Sequence, residues 1–221
     1  MLFGSSSWIL SLTMPETIKG RGAAFNPPNR FEQVRLEPMD IEWKDDEEDR
    51  PIQTVFYRDS SKTILAKNDS DDIPFSYSIN PYRGCEHGCI YCYARPSHEY
   101  LGFSAGIDFE TKIMVKLDAP ELLEETFNKK SWKPQMVCFS GNTDCYQPVE
   151  RKLQITRRCL EVFLKHRNPV GLITKNVLIM RDLDIIKELA RFNLVFAIVS
   201  ITSLSADLIR RMEPRTSTPQ K

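Results

Sequence analysis

The chain is predicted to adopt an α/β fold built on a parallel sheet. Short apolar segments recur in its second half, amphipathic helical segments separate them, and turn-forming residues fall at the junctions. The apolar segments do not alternate with polar residues, as expected for strands covered on both faces, so the architecture is a barrel or a doubly wound sheet. The 221 residues, 41% hydrophobic and 27% charged, suffice for one large domain, or for one medium domain with extensions.

The elements follow in order. Met1-Leu2-Phe3-Gly4 and Trp8-Ile9-Leu10 are apolar but lack a basic flank and a cleavage site, so they read as an unstructured leader, with Met14 as an alternative start. Residues 15–38 are rich in Gly, Pro, Asn and Arg without periodicity and read as an extended arm. Residues 40–50 hold seven acids and two bases, a solvated run. Strand-like pieces at 52–56 and 63–65 complete an N-terminal extension, residues 1–72, that is expected to be largely irregular.

From there four βα units are predicted. The first strand is 76–79, followed by a cysteine-rich loop and a helix over 120–128, with Pro120 in its first turn and Glu121, Glu124 and Glu125 near its positive end. A second strand at 135–140 leads to a helix over 150–166 with Leu153, Leu160, Phe163 and Leu164 on one face. The third pair is a strand at 170–174 and a helix at 182–191. The fourth is a strand at 194–201 and a helix at 205–212 with Ser205 as N-cap. Residues 73–213 thus form the core and 214–221 a tail.

Thirty basic and thirty acidic residues cancel, which excludes a chain that grips nucleic acid by bulk charge. The longest apolar stretches fall far short of the roughly 20 residues that span a bilayer, so no membrane partner is expected. Three of six cysteines crowd together without an export signal, which favours a metal site in a reducing cytoplasm over disulfides.

The informative stretch is Asn80-Pro81-Tyr82-Arg83-Gly84-Cys85-Glu86-His87-Gly88-Cys89-Ile90-Tyr91-Cys92-Tyr93-Ala94-Arg95. Thiolates are natural ligands of iron and sulfide, and Cys85, Cys89 and Cys92 can wrap one cluster while leaving one iron of a cubane open. Gly84 and Gly88 let the backbone approach it closely. A zinc site completed by His87 or His98 is the alternative. Cys138, in an apolar strand, and Cys159, on a helix, read as core thiols.

With this spacing, an aromatic before the last cysteine and a βα series behind it, the chain resembles the radical S-adenosylmethionine superfamily. The wider phrase, together with Ser140-Gly141-Asn142-Thr143-Asp144-Cys145-Tyr146-Gln147-Pro148-Val149-Glu150 and Ile173-Thr174-Lys175-Asn176, is similar to the subgroup related to spore photoproduct lyase, the DNA repair photolyase-like proteins. The resemblance covers about residues 19–219. It implies a partial (β/α) barrel of six units, of which four are present here, so that the chain is expected to be a truncated form that binds and cleaves cofactor weakly.

The resemblance further implies a 4Fe-4S cluster on Cys85, Cys89 and Cys92, with S-adenosylmethionine on the fourth iron. Reductive cleavage of that cofactor then gives a 5′-deoxyadenosyl radical. An electron donor such as flavodoxin or ferredoxin is the implied partner. The substrate is open: a DNA-repair lyase activity is the subgroup's suggestion, yet the chain shows no interleaving of aromatic and basic residues for a nucleic-acid groove. An iron-sulfur electron-transfer or sensor protein and a zinc-stabilised interaction module are the alternatives.

Working residues of a βα barrel sit at the C-terminal ends of its strands. Ser140, Thr143 and Asp144 are expected there to receive the cofactor's amino group, Lys175 its carboxylate, and Ser200 the ribose or methionine moiety, while the backbone of Tyr91 faces the adenine. Cys145 is expected on an accessible rim loop, where its weak S–H bond suits return of a hydrogen atom to a substrate radical.

Overall fold

The computed structural model describes residues 22–27 and 52–221. The expected leader and the acidic run at 40–50 lie outside the described residues. Eight strands are present: β1 (Val55–Arg58), β2 (Leu65–Lys67), β3 (Tyr77–Ile79), β4 (Tyr82–Arg83), β5 (Lys112–Val115), β6 (Val137–Phe139), β7 (Val170–Thr174) and β8 (Val195–Val199). The helices are α1 (Asp108–Thr111), α2 (Ala119–Phe127), α3 (Glu150–Leu153), α4 (Ile155–Lys165), α5 (Leu183–Arg191) and α6 (Ala206–Met212), with 3₁₀ turns at Arg95–Leu101 and Val177–Asp182.

The main sheet has the order β2-β3-β6-β7-β8, and from β3 onward its strands are parallel. This is the predicted α/β architecture of a partial barrel, with all four predicted strands in sequence order. β7 spans the predicted residues because Val170, Gly171, Leu172 and Thr174 are buried between helices and sheet. Helices α2 and α4 cover one face: Phe127 and Phe163 meet edge to face at 5.2 Å, and Phe163 reaches Phe139 of β6 at 5.6 Å. Such aromatic pairs add to the area they bury.

The structure departs from the sequence reading in four places. The strand-like pieces expected at 52–56 and 63–65 are present but shifted to Val55–Arg58 and Leu65–Lys67, where β2 pairs antiparallel with β3 and β1 pairs parallel with β5. Strand β5 lies where no strand was predicted. The single helix predicted over 150–166 is broken at Gln154, whose φ of 52° separates α3 from α4.

The break has a physical cause. It turns the buried Glu150 carboxylate back to accept from Thr156 N at 3.1 Å in the first turn of α4, from Tyr82 Oη at 2.5 Å and from Arg181 at 2.8 Å. A continuous helix would carry that carboxylate outward, so burial of one charge overrides helix propensity.

The fourth departure is β8, expected to be covered on both faces. Phe196, Ile198 and Val199 are instead exposed, as are Ile201 and Leu204 beyond them, and β8 forms the outer edge of the sheet among the described residues. An apolar edge with free backbone groups templates pairing with another chain. Replacing Phe196 and Ile198 together by Lys is therefore expected to lessen concentration-dependent self-association in sedimentation velocity, with the far-ultraviolet circular dichroism unchanged.

Candidate cluster and cofactor site

The loop after β3 carries the three thiols and turns on two glycines of positive φ, Gly84 (83°) and Gly88 (67°). A Cβ on Gly84 would lie 2.9 Å from the Phe109 carbonyl oxygen, and one on Gly88 would lie 2.9 Å from the Glu110 carboxylate, so both positions demand glycine. Cys85 N donates to Phe109 O at 2.8 Å, and Cys92 N donates to Cys89 O at 3.3 Å. Only Cys85, Ala94, Phe109 and the half-buried Cys92 pack as an apolar cluster here, so polar contacts must hold the loop.

Three carboxylates do so. Glu86 is buried and accepts from Val149 N, Thr54 Oγ1 and Arg215 Nη1, the last at 2.8 Å. Glu110, fully buried, accepts from Gly22 N, Ala23 N and Arg95, whose guanidinium also donates to Cys89 O at 2.8 Å. The described part of the N-terminal arm thus lies directly on the loop: a Cβ on Gly22 would fall 1.7 Å from the Gly88 carbonyl oxygen.

Asp144, the third, ties the ends of β6 and β7 to the loop. It accepts from Thr174 Oγ1 and Lys175 N, each at 2.8 Å, and stands 3.4 Å from His87 Nδ1. Burial would push His87 down, but Asp144 and Cys85 beside it hold the imidazolium up to about 10. The same imidazolium lowers Asp144 against its own burial.

The donor set fits an iron-sulfur cluster. Burial pushes Cys89 up, the neighbouring Cys85, Glu213 and Cys92 push it further, and Lys175 pulls it back. Burial likewise raises Cys92, which Arg95 opposes. Each thiol therefore has a cation beside it: His87 at Cys85, Lys175 at Cys89 and Arg95 at Cys92. Each of these basic groups is itself paired with a carboxylate, His87 with Asp144, Lys175 with Glu213 and Arg95 with Glu110, so N–H donors stand beside the thiols without a net positive charge.

The two histidines of the zinc alternative sit in different surroundings, His87 beside Cys85 and His98 in an aromatic pocket. His87 is engaged by Asp144 and Asn176, and His98 stacks on Phe103 at 5.1 Å and meets Phe109 edge-on at 5.5 Å. No group of three or more His, Cys, Asp or Glu among the described residues is set for a single metal ion.

The predicted cofactor residues divide into two groups. Tyr91, Lys175 and Ser200 gather beside the loop, where Lys175 Nζ lies 5.6 Å from the Tyr91 ring centre and a cavity of about 270 Å³ opens between Lys175, Ser200 and Glu213. Ser140, at a φ of 64°, spends its Oγ on Cys145 N, and Thr143 is buried with its hydroxyl on Tyr82 O at 2.6 Å. Thr143 and Asp144 are thus scaffold in this structure.

Cys145 is corrected outright. Its side chain is wholly buried within the core, because the turn after Ser140 folds inward and Thr156 Oγ1 donates to the Cys145 carbonyl. It is not an accessible rim thiol and is not proposed as a hydrogen donor. Cys138 and Cys159 are buried core thiols, as expected.

Sequence reasoning missed Asn80, whose Oδ1 accepts from Asn142 N and Thr143 N, and also Arg95, Glu110 and Glu213. Asn80 and Arg95 flank the cysteines and could have been found there. Glu110 and Glu213 carry no local signal.

Comparison with known proteins agrees with this geometry. Residues 79–221, well over half of the sequence, match the radical SAM superfamily domain, and the chain belongs to that superfamily. The Mycobacterium tuberculosis protein Rv2578c is 38% identical over 148 residues, 67% of this chain and 44% of that protein. The Methanocaldococcus jannaschii protein MJ0683 is 28% identical over 145 residues, 66% of this chain and 51% of that protein. This chain thus spans about half the length of these relatives. A variant of spore photoproduct lyase, solved with bound AdoMet and a dinucleoside spore photoproduct, shares the fold with a TM-score of 0.50 at 20% identity, over 75% of this chain and 44% of that one.

Burial holds His98 neutral, at about 4 against 6.5 for a free imidazole. The folded state then binds fewer protons than the unfolded one between those values. Stability from this group is complete above pH 6.5 and falls as the pH drops towards 4, by roughly 3 kcal/mol in all. His98→Phe keeps the ring stack without the titration, so its melting temperature should fall less steeply across that window. Parallel curves would refute the assignment.

Proposed function

We propose that this chain is the cofactor-binding part of a radical S-adenosylmethionine enzyme, with a 4Fe-4S cluster held by Cys85, Cys89 and Cys92. The observation that carries this reading is the placing of three neighbouring thiols, each beside a basic side chain, in the loop after β3 and beside the ends of β6 and β7. When bound, the cluster and S-adenosylmethionine supply an electron and a 5′-deoxyadenosyl radical that removes a hydrogen atom from substrate.

The chain's own residues bind and orient. Lys175 offers its ammonium to the cofactor's carboxylate, Ser200 offers its hydroxyl to the ribose or methionine moiety, and Tyr91 borders the adenine. Burial of Cys85 and Cys89 keeps water from the thiolates. Arg95, His87 and Lys175 offset the negative charge that cluster uptake leaves behind. A one-electron donor such as flavodoxin or ferredoxin is the proposed partner. A nucleic-acid lesion is the substrate class to test first, on the strength of the spore photoproduct lyase likeness.

Anaerobic reconstitution followed by a cofactor-cleavage assay under strong reductant tests the reading. Iron, sulfide and release of 5′-deoxyadenosine support it. A cluster without cleavage would make the chain an electron-transfer or sensor protein, and stoichiometric zinc without a chromophore would exclude the cluster. Alanine at any one of the three cysteines should remove most of the iron.

Lys175→Ala, measured per bound cluster, should weaken cofactor binding by about tenfold or more, as expected for loss of a charge-assisted contact. Gly22→Ala, which forces the arm away from Gly88, should speed the loss of iron to a chelator without altering the cofactor residues. Iron loss at the wild-type rate would show that the arm does not support the loop.

A further inference from the structure

Lys175 is already paired before any cofactor arrives. Its Nζ lies 2.9 Å from Glu213 Oε1 and 2.9 Å from Thr202 Oγ1, Thr202 donates to the same Glu213 oxygen at 2.5 Å, and Tyr91 Oη meets Thr202 Oγ1 at 3.0 Å. Glu213 is 3% exposed and Lys175 is 23% exposed, so the carboxylate is the more deeply buried member of the pair, and both line the cavity. This corner therefore carries no net charge, although it is the place where an incoming carboxylate must be attracted.

The segment bearing Glu213 is fastened to the cysteine loop. Ile90 N donates to Met212 O at 2.9 Å, Arg215 N donates to His87 O, Ser217 N donates to Lys175 O, and Pro214 lies where a Cβ on Gly88 would come within 3.3 Å of it. Thr216 Oγ1 donates to the second Glu213 oxygen at 3.3 Å. Residues 214–217, at the start of the expected tail, thus lie against the cysteine loop and Lys175, and Glu213, the last residue of the expected core, precedes them.

We propose that Glu213 is an internal competitor for the cofactor's carboxylate: it occupies Lys175 in the free protein, and binding exchanges one carboxylate for another at that ammonium. Lysine has three N–H donors and one charge, so it can hydrogen-bond both acids but neutralise only one. The incoming carboxylate must either displace Glu213 or bind beside it against like-charge repulsion. The gain is selectivity, because a ligand whose carboxylate is absent or misplaced cannot take Lys175 from Glu213. The proposal rests on the radical S-adenosylmethionine reading above and adds a residue to it.

The test is equilibrium dialysis of S-adenosylmethionine, and in parallel of 5′-methylthioadenosine, which lacks the amino-acid carboxylate, on the anaerobically reconstituted chain. Glu213→Gln keeps the size and the hydrogen-bonding end and removes the charge. It should tighten S-adenosylmethionine about tenfold and leave methylthioadenosine unchanged. In a Lys175→Met background the same change should give no gain, since the contested ammonium is gone.

Glu213→Asp, which keeps the charge on a shorter arm, should fall between wild type and Gln. It stands as the check if Gln alters the fold. Unchanged or weaker S-adenosylmethionine binding by Glu213→Gln, alongside measurable wild-type binding, overturns the proposal alone. Absence of binding in every variant overturns the functional reading and the proposal with it.

Discussion

Buried carboxylates hold the cysteine loop, and the rest of the site depends on them. A loop that must face three thiols into one space cannot bury enough apolar surface to fix itself, and here its own apolar cluster is very small. Glu86, Glu110 and Asp144 substitute for a core by anchoring the loop to the 148–149 turn, to the arm at Gly22 and Ala23, and to the ends of β6 and β7. Each carboxylate oxygen that leaves water is met by backbone N–H groups or by a cation. Removing one partner of such a buried pair costs about 3–5 kcal/mol, far more than an exposed ion pair. The loop is thus rigid for electrostatic reasons, and its position is transmitted to the sheet through hydrogen bonds to backbone groups.

How much of this was legible in the sequence follows from the range of each interaction. The three thiols and two glycines lie within nine residues, Gly84 to Cys92, and their spacing alone defines the loop. β7 was legible to the residue, since an apolar run between Pro169 and Lys175 leaves no other reading. The break at Gln154 was not, because its cause is Glu150 meeting Tyr82 from a distant strand. Burial of Cys145 was hidden for the same reason. A turn of Ser, Gly, Asn and Thr reads as exposed, and only the pairing of Asn80 with Asn142 and Thr143 folds it inward.

The two carboxylates missed altogether, Glu110 and Glu213, show the limit of motif reading more sharply. Glu110 sits in a short helix with no periodic pattern around it, yet it gathers the arm, Arg95 and, through Arg95, the Cys89 carbonyl. Glu213 follows α6 as the last residue of the expected core, with no motif around it. A local motif names the groups that do chemistry. The groups that set their charge and position come from elsewhere in the chain and become visible only when the fold brings them together.

Charge balance around the thiols shows why that arrangement is needed. Burial raises Cys89 and Cys92, so under the proposed function uptake of iron would have to displace their protons. Once the protons leave, the thiolates need cations close by, in positions that require no reorganisation. His87 and Arg95 are committed to that role by Asp144 and Glu110, which hold them against the loop. In the proposed function Lys175 has two duties, beside Cys89 and towards a ligand, and it lines a cavity together with Glu213. Glu213, buried behind it and bonded to Thr202, competes with that ligand for the single charge the ammonium carries.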